Sequence, residues 1–539
     1  MPNRTATRLR DQTPPTVAPP SSGGRSALLV GLGILLSRLI GLVRTRVFAH
    51  YFGATSDAAD AFNAAFRIPN FLQNLFGEGA LSASFIPVYA NLLGQGKKEE
   101  AGRIAGAIVC ILSLVVSIIV LVGLLATPLL IDLIAPGFTG EKRTLTISLV
   151  RILFPGAGLL VISAWCLGVL NSHRRFFLSY SAPVIWNVAM IAALLGWGGH
   201  VGEFELAEIL AWGSVAGSAL QFLVQLPMVL RLASDLQLWL GFRDSSVRTI
   251  LRNFTPAFIS RGVVQISAYV DAMIASLLGT GAVTGLSYAQ LLYTLPVSLF
   301  GMSISATELA EMSRTTGSDQ QIHHTLRTRL NAGLARVAFF IVPSAIAFLA
   351  FGDLIAAALF QSGKFTAQDA TYVWGILAGS SVGLLASTMG RLYSSTFYAL
   401  RDTRNPLKYA ITRVALTSML GIAFALYLPS MLGLQERWGV AGLTVSAGIA
   451  GWVEFFLLRR KLNRRIGQSG LPPSVLLRLW GSGIVAAGGG WGAKLLIPAL
   501  HPALAAAVVL IPFGGVYLVA TAGLGIAESK ALLSKIRRR

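Results

Sequence analysis

The sequence predicts an all-α integral membrane protein with about 14 transmembrane helices. The expected layout is two six-helix lobes related by a parallel pseudo-two-fold repeat, followed by a C-terminal helix pair. Three observations carry this. Only 12% of the 539 residues are charged and 54% are hydrophobic, where a soluble protein has roughly 25% charged residues, so the chain holds more apolar surface than one core could hide. Apolar runs near the roughly 20 residues that cross a bilayer as helix recur along its length. Basic clusters interrupt those runs on alternate connections only, which is the signature of cytoplasmic loops.

The elements follow in order. Residues 1–24 are rich in Pro, Ser, Thr and Arg and read as a disordered basic tail. The apolar run after Arg25 has the proportions of a signal peptide, but no small-x-small site follows and the pattern continues past Arg38 as helix. Uncharged runs at 104–131, 152–172, 176–199, 209–230, 370–390, 414–435 and 502–527 are the clearest spans. Segments 26–49, 60–93, 250–278, 330–351, 438–458 and 477–497 carry internal charges, and 272–307 is split by the turn Gly279-Thr280-Gly281. The implied layout is an N-lobe at 25–235, a C-lobe at 245–464, a last helix pair at 472–528 and a basic tail at 529–539. The second helix contains Pro69, Gly77, Gly79 and Pro87 and should be kinked or broken, which lipid tolerates only beside a cavity or a neighbouring helix.

Lys and Arg number 44 against 23 Asp and Glu, a net charge of +21. The surplus sits in loops on one side, among them Lys97 and Lys98, Arg174 and Arg175, and the run from Arg459 to Arg465. Both termini are therefore expected in the cytoplasm, and the surplus is topological, so no nucleic-acid partner is expected. A weak duplication supports the two-lobe reading: LFGEGALSASF matches LFGMSISATEL, and APGFTGEKRTLT matches QSGKFTAQDATY. Cys110 and Cys166 lie in apolar stretches and form no disulfide or zinc pattern. The chain has no P-loop and no H-E-x-x-H motif, so energy must come from a gradient or the membrane potential, and no catalytic residue or metal is expected.

Charges inside spans are the functional signal, since each costs about 2.5–3.5 kcal/mol at a helix centre even on the lenient scale. Arg38 and Arg44 lie in the first span, Asp60 and Glu78 in the second, Arg261 and Asp271 in the seventh, Arg391 in the tenth and Arg413 in the eleventh. Arg38, Arg44 and Arg261, with Gln265 one turn beyond Arg261, are expected to line a cationic cavity that binds an anionic substrate, phosphate or diphosphate being the natural match for Arg forks. Asp60 either forms an ion pair with Arg38 or Arg44 or serves as a gate, and the broken second helix, with Glu78, is the candidate gating element. Arg391 and Arg413 are open to a second reading as charges that snorkel to the interface. Arg46 and Arg67 read as boundary charges.

The stretch SRLIGLVRTRVFAHYFGATSDAADAFNAAFRIPNFLQNLFGEGALSASFIPVYANL, with SGKFTAQDA and FYALRDTRNPLKYA, resembles the MurJ (MviN-type) lipid II flippases of the multidrug/oligosaccharidyl-lipid/polysaccharide exporter superfamily. The resemblance implies two six-helix lobes forming a V, with a last helix pair that builds a groove for a polyprenyl tail. It implies a transporter, not an enzyme, that carries the undecaprenyl-diphosphate-linked peptidoglycan precursor from the cytoplasmic to the outer leaflet of the bacterial inner membrane by alternating access, for cell-wall synthesis. Its partners would be lipid II and membrane lipids, and a monomer is expected. Arg38 and Arg44 match family arginines of the central cavity, Asp60 its second-helix aspartate and Glu78 its F-x-E-G glutamate. Gln73 and Leu291 stand where members commonly have arginines, and Arg261 is the candidate to replace one charge. Some relatives bind sodium; Asp271 is the candidate ligand for a coupling cation here, but the eleventh helix offers no carboxylate to complete a site. An exporter of another polyprenyl-linked oligosaccharide or of drugs would share the fold. A membrane-embedded glycosyl- or phosphotransferase would need an acidic or histidine site that the sequence lacks.

Overall fold

The computed structural model describes residues 23–496 and 500–537, with the side chains of 23–31, 77–79, 83, 256, 257, 259–261, 263–268 and 535–537 outside that description. Among the described residues the regular secondary structure is helical apart from one isolated bridge, Ser362 to Phe365. In lipid this is the expected solution, because a helix satisfies its backbone polar groups within one segment.

The first half comprises α1 (Gly23–Phe52), α2 (Asp57–Gln73), α3 (Ser82–Gly94), α4 (Lys98–Leu125), α5 (Thr127–Ile134), α6 (Gly140–Ser172), α7 (Phe176–Trp197) and α8 (Glu203–Leu232). After a linker come α9 (Ser245–Ser276), α10 (Ala282–Pro296), α11 (Ser303–Ser313), α12 (Asp319–Phe360), α13 (Ala367–Ala399), α14 (Arg404–Ile422), α15 (Leu428–Met431) and α16 (Gly439–Ile466). The last helices are α17 (Pro473–Leu496), α18 (Pro502–Gly523) and α19 (Ala527–Arg537). Among the described residues, 10 helical segments are long and apolar enough to cross a membrane. The remaining expected spans fall on α1, on the α2–α3 segment, on α9 and on α17. The segment expected as a basic tail, 529–539, overlaps α19, which ends at Arg537.

The second helix is broken as its prolines and glycines predict: α2 and α3 are joined by a π-helical stretch, Asn74–Leu81. A second π-helical stretch, Val297–Met302, joins α10 to α11. Each contains the Leu-Phe-Gly of the internal repeat, 75–77 in the first and 299–301 in the second. The duplication thus recurs as a local backbone irregularity at matching points of the two halves; a third π-helical stretch, Ala423–Tyr427, lies outside the repeat.

In the first half, α6 packs against α2, α4 and α8, and α1 packs against α7; in the second, α13 packs against α10, α12 and α16. The α13–α16 approach is close because two glycines face each other: a Cβ on Gly383 would lie 2.4 Å from Gly448 Cα. Small residues at such crossings let helix backbones meet in lipid, where apolar burial alone gives no drive. α17 and α18 lean on α12, with Phe351 edge-on to Phe513 and Tyr517 Oη donating to Phe339 O at 2.8 Å.

Candidate functional site between the two halves

α2 brings a polar stripe to the junction of the halves. Asp60, Asn63, Arg67 and Asn70 recur at i, i+3, i+7 and i+10, one face of a helix. Ser56 caps α2, its side chain accepting from Ala59 N, and fixes where that face points.

At the α1–α2 end the stripe begins with Asp60, which is 0% exposed and fully satisfied. Its Oδ1 accepts from Thr284 N at 2.8 Å and Thr284 Oγ1 at 2.7 Å, and its Oδ2 from Gly281 N and Lys142 Nζ, both at 2.8 Å. Gly281 and Thr284 open α10, so a carboxylate from one half caps a helix of the other and meets the positive end of its dipole. Gly281 sits at φ +88°, and a Cβ there would lie 2.9 Å from Ala54 O. Arg46 makes the converse contact, its Nη1 donating to Ala358 O at 3.0 Å and Leu359 O at 3.1 Å in the last turn of α12. Lys364 N donates to His50 O at 2.8 Å, Tyr288 Oη to Gly53 O at 3.0 Å, and Lys364 Nζ pairs with Glu203. Together these contacts seal the two halves at this end.

Beyond the seal lies a cavity of about 270 Å³. Arg44, Thr45 and Phe48 line it from α1, with Phe62, Asn63, Phe66, Arg67 and Asn70 from α2. Met190, Leu194 and Leu210 add apolar wall, and Ser287, Tyr288, Gln290 and Leu291 close it from α10. Arg44 lies over the Phe66 ring, 5.0 Å from its centroid, and reaches Met190 Sδ at 3.9 Å. Among the described residues no carboxylate pairs with it. A ring face and a thioether are weak partners for a guanidinium, so an oxyanion entering the cavity has little to displace.

The expected site residues divide. Arg44 lines the cavity. Arg38 does not; it is exposed on α1. It stands seven residues from Thr45, on the same helix face and about 10 Å further along. Asp60 pairs with neither arginine: its cation is Lys142, which also holds Asp57 at 3.0 Å. The side chains of Arg261, Gln265 and Glu78 lie outside the described residues. Arg46 sits at the sealed end of α1, on the last carbonyls of α12. Arg67 lines the cavity and accepts Tyr269 Oη on its backbone carbonyl at 2.9 Å. The α2 polar stripe was the signal that could have found Arg67; Lys142, one loop cation among several, carried none.

Arg413 pairs with Glu454 at 3.2 Å rather than snorkelling, whereas Arg391 is exposed. Around Asp271 the charges within electrostatic reach are Arg413 and Arg67. Among the described residues no three His, Cys, Asp or Glu gather as metal ligands.

A second, apolar cavity of about 420 Å³ opens beside the first half's partner. Leu292, Leu295 and Leu299 of the α10 segment, Phe340, Pro343 and Phe348 of α12, and Leu510 and Phe513 of α18 line it. Of the last helix pair α18 contributes here, and α17 and α18 together line a further cavity of about 590 Å³, with Leu477, Gly481 and Val485 facing Ala520 and Gly523.

A profile described as lipid II flippase MurJ matches residues 48–513. The lipid II flippase MurJ of Burkholderia cenocepacia is 33% identical over 450 residues, covering 82% of this chain and 84% of the relative. A probable lipid II flippase MurJ of Rhizobium tropici is 33% identical over 444 residues, covering 81% and 80%. Among solved structures, a lipid II flippase MurJ in an inward closed conformation superposes with a TM-score of 0.75 at 22% identity, covering 92% of this chain and 99% of that one. An inward-facing multidrug resistance MATE transporter of the MOP superfamily gives 0.63 at 18% identity, covering 83% and 100%; both likenesses bear on the fold. With its cation-lined cavity between two repeated halves and these matches over most of its length, the chain belongs to the lipid II flippase MurJ family.

Proposed function

We propose that this protein flips the undecaprenyl-diphosphate-linked peptidoglycan precursor, lipid II, from the cytoplasmic to the outer leaflet of the inner membrane by alternating access. It is a transporter and catalyses no covalent chemistry. The observation that carries the reading is the pair of guanidinium groups, Arg44 from α1 and Arg67 from α2, facing one cavity between the halves. Two arginines on adjacent walls suit the several oxygens of a diphosphate. The amides of Asn63, Asn70 and Gln290, with the faces of Phe62, Phe66 and Tyr288, suit a sugar-bearing head group. The lipid tail stays in the apolar cavity of α10, α12 and α18.

With both termini in the cytoplasm, the seal around Asp60 and Arg46 lies at the outer face, so the cavity loads from the cytoplasmic side. Transfer then requires the seal to break and the halves to rock, with Asp60 leaving the α10 N-terminus and Arg46 leaving the α12 C-terminus. The membrane potential acting on the cationic cavity is the proposed drive, and the protein works as a monomer. A drug exporter of the same fold is the second reading, but a cationic cargo would meet the like charge of the Arg44 guanidinium in the cavity.

The test is translocation of labelled lipid II in liposomes, with and without a potential. Potential-dependent flipping that Arg44→Ala and Arg67→Ala each slow about ten- to a hundred-fold supports the proposal. Flipping by neither the native protein nor any lipid-linked sugar overturns it.

A further inference from the structure

The linker between the halves bears an interaction surface of its own. Residues 236–241 run without helix along the first turns of α4. Two glycines make room for them: a Cβ on Gly102 would lie 2.4 Å from Asp235 O, and one on Gly106 only 1.9 Å from Gln237 O. Trp239 turns inward, its Nε1 donating to Arg103 O at 3.0 Å and its ring lying under the Arg103 guanidinium at 5.5 Å. Asp244 closes the far end, capping α9 and pairing with Arg103 at 3.1 Å.

Side chains alternate along this strap. Leu238, Leu240 and Phe242 are 70%, 53% and 48% exposed, while Trp239 is half-buried and Gly241 buried. A period of two places the three apolar side chains on one face. The backbone reaches the level of Gly106, three residues and about 4.5 Å along α4 from Arg103, toward its uncharged interior. Arg231, Arg243 and Arg248 are exposed around it. Apolar side chains at the boundary of a spanning helix, ringed by arginines, match the head-group layer of an anionic leaflet in both depth and charge.

We infer that Leu238, Leu240 and Phe242 insert into the head-group region of the cytoplasmic leaflet, with Arg231, Arg243 and Arg248 on its anionic phosphates. The linker thereby anchors the hinge between the halves to the bilayer surface. This stands apart from which lipid the protein carries.

The test places an environment-sensitive fluorophore on Leu240→Cys, in a Cys110→Ser, Cys166→Ala background, with the purified protein in phosphatidylglycerol-containing liposomes. Leu121→Cys, on the exposed apolar face of α4, is the in-bilayer control and Ser234→Cys the aqueous one. Lipid spin-labelled near the head group should quench the label at 240, and aqueous iodide should quench it less than the label at 234. Iodide quenching at 240 equal to that at 234 overturns the insertion and leaves the face to a cytoplasmic protein. In phosphatidylcholine-only vesicles protection at 240 should fall; unchanged protection overturns the part assigned to the three arginines.

Discussion

Lys142→Met tests whether the seal is held by the buried charge at Asp60. Lys142 Nζ lies 2.8 Å from Asp60 Oδ2, Lys142 is 11% exposed and Asp60 0%. Removing one member of a buried pair costs about 3–5 kcal/mol. Asp60 keeps the donors Gly281 N, Thr284 N and Thr284 Oγ1, so about 2–3 kcal/mol is the reasoned value. The loss falls on the sealed form, where the carboxylate is dry; in the open form water replaces the ammonium. The equilibrium should therefore move toward the open form by roughly thirty- to a hundred-and-fifty-fold. The readout is labelling of Ser287→Cys, on the α10 wall of the cavity, by an impermeant maleimide added from the outer face, in a Cys110→Ser background. Labelling should accelerate in Lys142→Met and fall back in part in Lys142→Met/Asp60→Asn, because the second change removes the unpaired carboxylate while an amide nitrogen cannot accept from Gly281 N. The buried Cys166 thiol reports unfolding and should stay unreactive throughout. Unchanged labelling of Ser287→Cys, or no rescue by Asp60→Asn, would refute the argument.

Other outcomes follow from the same geometry. Arg44→Ala and Arg67→Ala should each slow flipping about ten- to a hundred-fold, the worth of one or two charge-assisted hydrogen bonds, and Arg44→Lys should recover only part, since an ammonium lacks the flat fork; initial flipping rates check this. Gly281→Ala should weaken the seal by at least about 1–2 kcal/mol, from a left-handed backbone that L-residues avoid and a Cβ pressed on Ala54 O; faster labelling of Ser287→Cys is the sign. Burial, then Arg175 and Lys98, hold the His173 imidazole below its ordinary range beside Tyr89, 3.1 Å away. As pH falls through about 6.5 the unfolded chain takes up this proton first, so stability present at neutral pH is lost on acidification; thermal unfolding across that range should flatten in His173→Gln.

How much of this was legible in the sequence follows from the physics of each feature. Hydrocarbon admits only long apolar helices, so composition and charge spacing determined the membrane class, the order of the helices and the break in the second one. The duplicated Leu-Phe-Gly could be read as well, because a repeat is a property of the string. Partners of individual charges could not, since a guanidinium's fate depends on which helix faces it. Arg67 and Arg46 are both single cations near a helix end in sequence. Packing turned one into the cavity and set the other on the carbonyls of α12, more than 300 residues away. Asp60 was rightly singled out as a charge in need of a partner, but Lys142 and the open end of α10 reach it only because α6 and the second half converge there. Local chemistry determined what had to be satisfied; the tertiary fold decided by what, because Coulombic and hydrogen-bond energies are won over a few ångströms in space and carry no record of distance along the chain.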